Sequence, residues 1–133
     1  MLLLCSDGLS SKSLRSALAE RLWNCRSAAL VVTADNEYKK QNYHVPRCMD
    51  ELKALGLSVA LFDLDTHPCR LLNGYDVVEF TGGGAFYLLD AVRKSGAETV
   101  LREIAADKIL IGWSAAALSS CRLWSWSAAI ARR

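Results

Sequence analysis

Five short apolar runs recur along the chain, at Leu2–Cys5, Ala28–Val32, Leu57–Phe62, Asp76–Phe80 and Ile109–Ile111, and the stretches between most of them carry helical spacing. This alternation is the strongest constraint on the fold. Strands that are apolar on both faces must be covered on both faces, and consecutive strands joined through helices run parallel. The helical stretches are marked by their own residues. Ser10 or Ser11 can cap a helix running to Trp23, with Leu14, Ala17, Leu18 and Leu22 on one face. Pro46 can open a second helix, in which Met49, Leu52 and Leu55 form a stripe and Gly56 stands where a left-handed cap is wanted. Asn73-Gly74 marks a turn, and two further helices are expected over Phe86–Lys94, stopped by Gly96, and over Glu98–Ala106. The expected fold is α/β: a three-layer arrangement of one parallel sheet with helices on both faces.

The length of 133 residues suits a single core. With 16 basic and 14 acidic residues mixed along the chain, and no Lys/Arg block, nothing points to a nucleic-acid face. No run approaches the roughly 18 apolar residues of a membrane span, and "MLLLC" lacks the basic flank and length of a signal peptide. Five widely spaced cysteines without a CxxC pair read as reduced thiols of a cytoplasmic protein rather than as a zinc site. Neither a metal nor a cofactor is expected.

On a parallel sheet, ligands gather where the strands end at their carboxyl side. Two unusual turns fall there and should share a crevice. The first is the glycine triplet of "FTGGGAFYLL", Phe80–Leu89. Consecutive glycines let the backbone approach a ligand and aim amides at it, as an anion nest or half of an oxyanion hole; a tight turn needing positive φ would use the same residues. It lacks the spacing of a dinucleotide or phosphate-binding loop. The second is Gly112-Trp113-Ser114-Ala115-Ala116, one residue short of the G-x-S-x-G elbow that exposes a serine nucleophile on a strained strand-to-helix turn. The amide of Ala115 could then face a developing oxyanion. A serine at that place can equally be a helix cap.

Taken together, "LLLCSDGLSS", "VVTA", "FTGGGAFYLL" and "GWSAAA" resemble the peptidase E (aspartyl dipeptidase) family of serine peptidases, within the class I glutamine-amidotransferase-like, flavodoxin-like superfamily. The resemblance implies Ser114 as nucleophile, with the amides of Ala115 and of a residue within Gly83–Gly84 as the oxyanion hole. It also implies short peptides as substrates, with an N-terminal aspartate preferred. Ala85 stands where the family usually has Asn, and Ala116 where it has the last glycine of the elbow. The family's histidine base and acidic partner follow the nucleophile on segments not found here, so neither role can be carried over. His44 and His67 read as loop or surface residues. The fold is therefore expected to be C-terminally incomplete: residues 1–118 as the peptidase E-like domain and 119–133 as an atypical tail, read out of frame. Such a chain should hydrolyse weakly or not at all, and its uncovered sheet edge should favour a homodimer. The alternative is a non-catalytic remnant or small-ligand-binding module using the same crevice. A glutamine-amidotransferase activity would require cysteine at position 114.

Overall fold

A computed structural model describes residues 1–113. Its sheet consists of β1 (Leu2–Cys5), β2 (Ser27–Val31), β3 (Ser58–Phe62), β4 (Val77–Phe80) and β5 (Ile109–Trp113). All pairings are parallel and the order across the sheet is β1-β5-β4-β2-β3. Helices α1 (Lys12–Arg21) and α2 (Val45–Ala54) cover one face; α3 (Ala85–Ser95) and α4 (Ala97–Asp107) cover the other. Two short 3-10 turns, Lys39–Gln41 and Cys69–Gly74, occupy connections; the second takes up the turn expected at Asn73-Gly74.

The three-layer α/β architecture read from the sequence is the one observed, and its reason is visible in the strands. Every residue of β4 and β5 is buried, and side chains alternate between two cores. Val78, Phe80 and Leu110 join Leu88, Val92, Leu101 and Ile104 beneath α3 and α4. Val77, Ile109, Ile111 and Trp113 join Leu18, Cys48 and Leu52 beneath α1 and α2.

Boundaries moved where local chemistry outweighed the apolar pattern. Helix α1 stops at Arg21, with Leu22 as its cap, and leaves Trp23 84% exposed. The Ser11 hydroxyl accepts from the Leu14 amide and so caps α1, as one of the two serines was expected to do. Asp76 lies before β4 rather than in it. Its carboxylate accepts from the amides of Arg26 (2.8 Å) and Ser27 (3.2 Å), clamping the entry to β2. Strand β5 runs two residues beyond Ile111, because Gly112 and Trp113 continue the ladder with Leu4 and Cys5 of β1. Gly96, at φ 73°, both ends α3 and precedes α4.

The connection from β2 leads outward to β3, whereas that from β4 leads the other way to β5. The chain thus changes direction between β2 and β4, the point of such a sheet at whose carboxyl ends ligands gather.

Candidate active site

Strands β4 and β5 are neighbours in parallel register, with Phe80 opposite Gly112. The glycine triplet leaves the carboxyl end of β4, and β5 ends at Trp113 beside it, on the same end of the sheet. Ser114 and Ala115 themselves lie outside the described residues.

The triplet has a well-defined local cause. Thr81 continues from β4, its amide donating to Val31 O (3.1 Å). Gly83 then turns at φ 152° and crosses the segment after β2 so closely that a β-carbon on it would lie 2.4 Å from both C and O of Ala34. Only glycine fits. The Gly84 amide donates to Ala34 O (2.8 Å) and is thereby committed to holding this crossing. The Gly83 amide makes no hydrogen bond to a described residue. Gly84 is also the residue before α3, so the triplet delivers the chain to a helix N-terminus, where partial positive charge favours an anion.

Beside the triplet, polar groups knit the ends of β2 and β3 together. The Thr33 hydroxyl donates to Asp63 Oδ1 (3.0 Å) and accepts from the Leu64 amide (2.8 Å). Lys39, held at φ 51°, reaches Asp63 (3.3 Å) and Asp65 (2.5 Å), and the Tyr87 hydroxyl donates to Asp65 (2.5 Å). Burial works against the Lys39 charge, but the Asp65 and Asp63 carboxylates outweigh it and hold the ammonium above its ordinary range. A surface cavity of about 230 Å³ opens alongside, lined by Val32, Lys39, Lys40, Phe62, Asp63 and His67 among others. His67 accepts from the Asp63 amide through Nδ1 (3.0 Å) and lies against Phe62, as befits a loop histidine.

His44 has a less expected place. It precedes α2, half-buried, with its ring 3.9 Å from that of Tyr43 and edge-on to Trp113 at 5.4 Å. A histidine read as peripheral therefore packs on the residue before Ser114. Of the basic residues available for a substrate carboxylate, Arg93 pairs with Glu98 (3.9 Å) and Lys94 with Asp90 (2.8 Å), both at the surface. Lys39 is engaged as described.

Sequence reasoning passed over Glu79. It is fully buried in β4, on the same side as Val77, beneath α1 and α2. The signal was present: a single acidic residue inside the apolar run "DVVEF". Burial first, and the nearby Glu51 charge second, push its carboxyl up to about 8, with Arg47 opposing.

Among the described residues no group of three or more His, Cys, Asp or Glu side chains is arranged to hold a metal ion. No described helix is long and apolar enough to cross a membrane.

Comparison with known proteins adds independent findings. The family model described as Peptidase family S51 matches residues 2–127. The chain is 37% identical over 81 residues to the uncharacterized peptidase Lin0382 of Listeria innocua serovar 6a, an alignment covering 57% of this chain and 39% of that protein. It is 36% identical over 81 residues to the uncharacterized peptidase Lmo0363 of Listeria monocytogenes serovar 1/2a, covering 57% and 40% respectively. A crystal structure described as that of "a Putative Peptidase E Protein" from Listeria monocytogenes EGD-e superposes with a TM-score of 0.69 at 29% identity, over 86% of this chain and 58% of that one. The chain thus spans about two-fifths of the length of these curated relatives.

Proposed function

We propose, for a chain that belongs to peptidase family S51, hydrolysis of short peptides with Ser114 as the nucleophile. One observation carries this reading: β4 and β5 lie side by side in register, so the glycine triplet and the residue after Trp113 follow adjacent strands at the carboxyl end of the sheet. In the proposed reaction the Ser114 hydroxyl attacks the scissile carbonyl carbon and releases its proton to solvent water, while the carbonyl's π pair moves onto the oxygen as negative charge. Amides from Ala115 and from the Gly83–Gly84 pair receive that charge. Within the pair, Gly83 is the better donor, because the Gly84 amide is occupied by Ala34. Collapse breaks the C–N bond, the amine leaves with a proton from solvent, and water then hydrolyses the acyl-serine. Substrates with an N-terminal aspartate follow from the resemblance to peptidase E.

A serine needs a base to lose its proton at neutral pH. The chain's two histidines are His44 and His67, and neither stands after Ser114 as the family's base does. We assign the base to neither, and expect turnover by these 133 residues to be weak, carried by the oxyanion hole and substrate binding alone. The second reading, a binding module without catalysis, draws support from a preformed cavity lined by the Lys39–Asp63 pair, with Lys39 anchored in turn by Asp65. A fluorophosphonate probe separates the two. Labelling that maps to Ser114 and disappears in Ser114→Ala supports a reactive serine; an unlabelled, folded chain leaves the binding module standing.

A further inference from the structure

Three buried polar atoms converge on one small hollow at Gly8, in the turn after β1. A β-carbon built on Gly8 would lie 3.5 Å from Glu79 Oε1, 3.6 Å from Glu51 Oε1 and 3.6 Å from the Trp113 indole Nε1. None of these atoms, nor Glu79 Oε2, has a hydrogen-bond partner among the described residues. Glu79 is 0% exposed and Trp113 4%. The other oxygen of Glu51 is held by Arg47 (3.1 Å), with Arg15 at 4.0 Å, which leaves Oε1 to face the hollow.

Buried polar groups are rarely left unpaired, since each forfeits the hydrogen bonds it made in water. A buried water takes two to four polar partners. One N–H donor and two carboxyl oxygens lie within 3.6 Å of where a β-carbon on Gly8 would stand, and Gly8 contributes no side chain to fill that space. We propose that Glu79, Glu51 and the Trp113 indole bind one water molecule in the hollow at Gly8, and that Glu79 thereby acts as a positioning residue for the end of β5, where the chain passes to residue 114. The second half rests on the reading of Ser114 given above; the water site does not.

The surroundings set how the site responds to pH. Glu51, Arg47 and Cys48 face it from α2, Arg15 from α1, Cys5 from β1 and Asp7 from the turn, while His44 packs edge-on to Trp113. Burial raises the Cys5 thiol to about 11 and that of Cys48 to about 12, so both stay neutral through the range in which Glu79 titrates. Below pH 8 the Glu79 carboxyl is neutral and can donate to the water. Above that pH it accepts only, taking one of the water's two protons while Glu51 takes the other and the indole N–H donates to the water's oxygen.

Nuclear magnetic resonance of the full chain tests this, with the Trp113 indole N–H assigned by its loss in Trp113→Phe. The wild type should show a cross-relaxation peak between this proton and a bound water. The indole signal and the backbone amide of residue 114 should shift together, with a midpoint near 8. Glu79→Gln should keep the water peak and abolish both shifts, and Gly8→Ala should remove the water peak. Absence of the peak in the wild type, or its persistence in Gly8→Ala, overturns the water site. A titration surviving in Glu79→Gln, or an amide of residue 114 that does not follow the indole, overturns the positioning role. Failure of Ser114 to react with a fluorophosphonate would remove the nucleophile reading and leave these signals unchanged.

Discussion

Gly83 illustrates how one residue can be required by its neighbours rather than by its own preferences. Its φ of 152° suits only glycine, and the space its β-carbon would need is filled by the backbone of Ala34 and Asp35. Backbone cannot swing aside as a flexible side chain can. Gly83→Ala is therefore expected to cost about 2–4 kcal/mol, combining strain with overpacking. Gly74→Ala, where nothing lies within 4 Å of the added carbon, serves as the control and should change stability by less than about 0.5 kcal/mol. Urea unfolding of both variants checks the contrast; equal midpoints would show that the crossing over Ala34 yields easily. That glycines belong here was legible in "TGGG". Which amide would be consumed by Ala34 was not, because that depends on a segment some fifty residues away in sequence.

At the scale of the element, the apolar periodicity located each strand and α-helix of the described residues, while the ends were decided by capping and by partners. Asp76 is the clearest case. It adjoins the apolar run of β4 and reads as its first residue, yet it serves β2 through the amides of Arg26 and Ser27. The Arg26 amide is the main reason its carboxyl titrates below the ordinary aspartate range, with the Ser27 amide adding to it against the cost of burial. A carboxyl depressed in the folded state stabilises above its unfolded pKa, and that contribution is lost as pH falls through the folded value. Asp76→Ala should thus cost about 1–2 kcal/mol at pH 7, from hydrogen bonds to a charged acceptor at a partly exposed site. The gap from wild type should narrow by pH 3. Denaturant curves at the two pH values test the sign; a gap that widens in acid would show that the clamp does not depend on the carboxylate.

For the whole molecule, the sheet separates two cores that share no side chains. Leu30 is fully buried beneath α1 and α2, and Leu101 is 2% exposed beneath α3 and α4. Replacing either by Ala should cost about 2–5 kcal/mol. Because the strands between them form one rigid ladder, the domain should still unfold in a single transition, with the two losses adding to within about 0.5 kcal/mol. Calorimetry of the double variant would contradict this if it showed two separate transitions.

By itself the sequence determined the parallel α/β fold, the glycine turn after β4 and the family, for a physical reason. Apolar strands, capped amphipathic helices and glycine turns are local patterns whose only consistent assembly is a covered parallel sheet. It also displayed Glu79, but only as an oddity within an apolar run. The tertiary structure alone decided that β4 lies beside β5, that Gly84 spends its amide on Ala34, and that His44 rests on Trp113. The same is true of Glu79, Glu51 and the indole meeting at Gly8. Those are contacts between residues distant in the chain, and no local periodicity encodes which of them a given strand order will bring together.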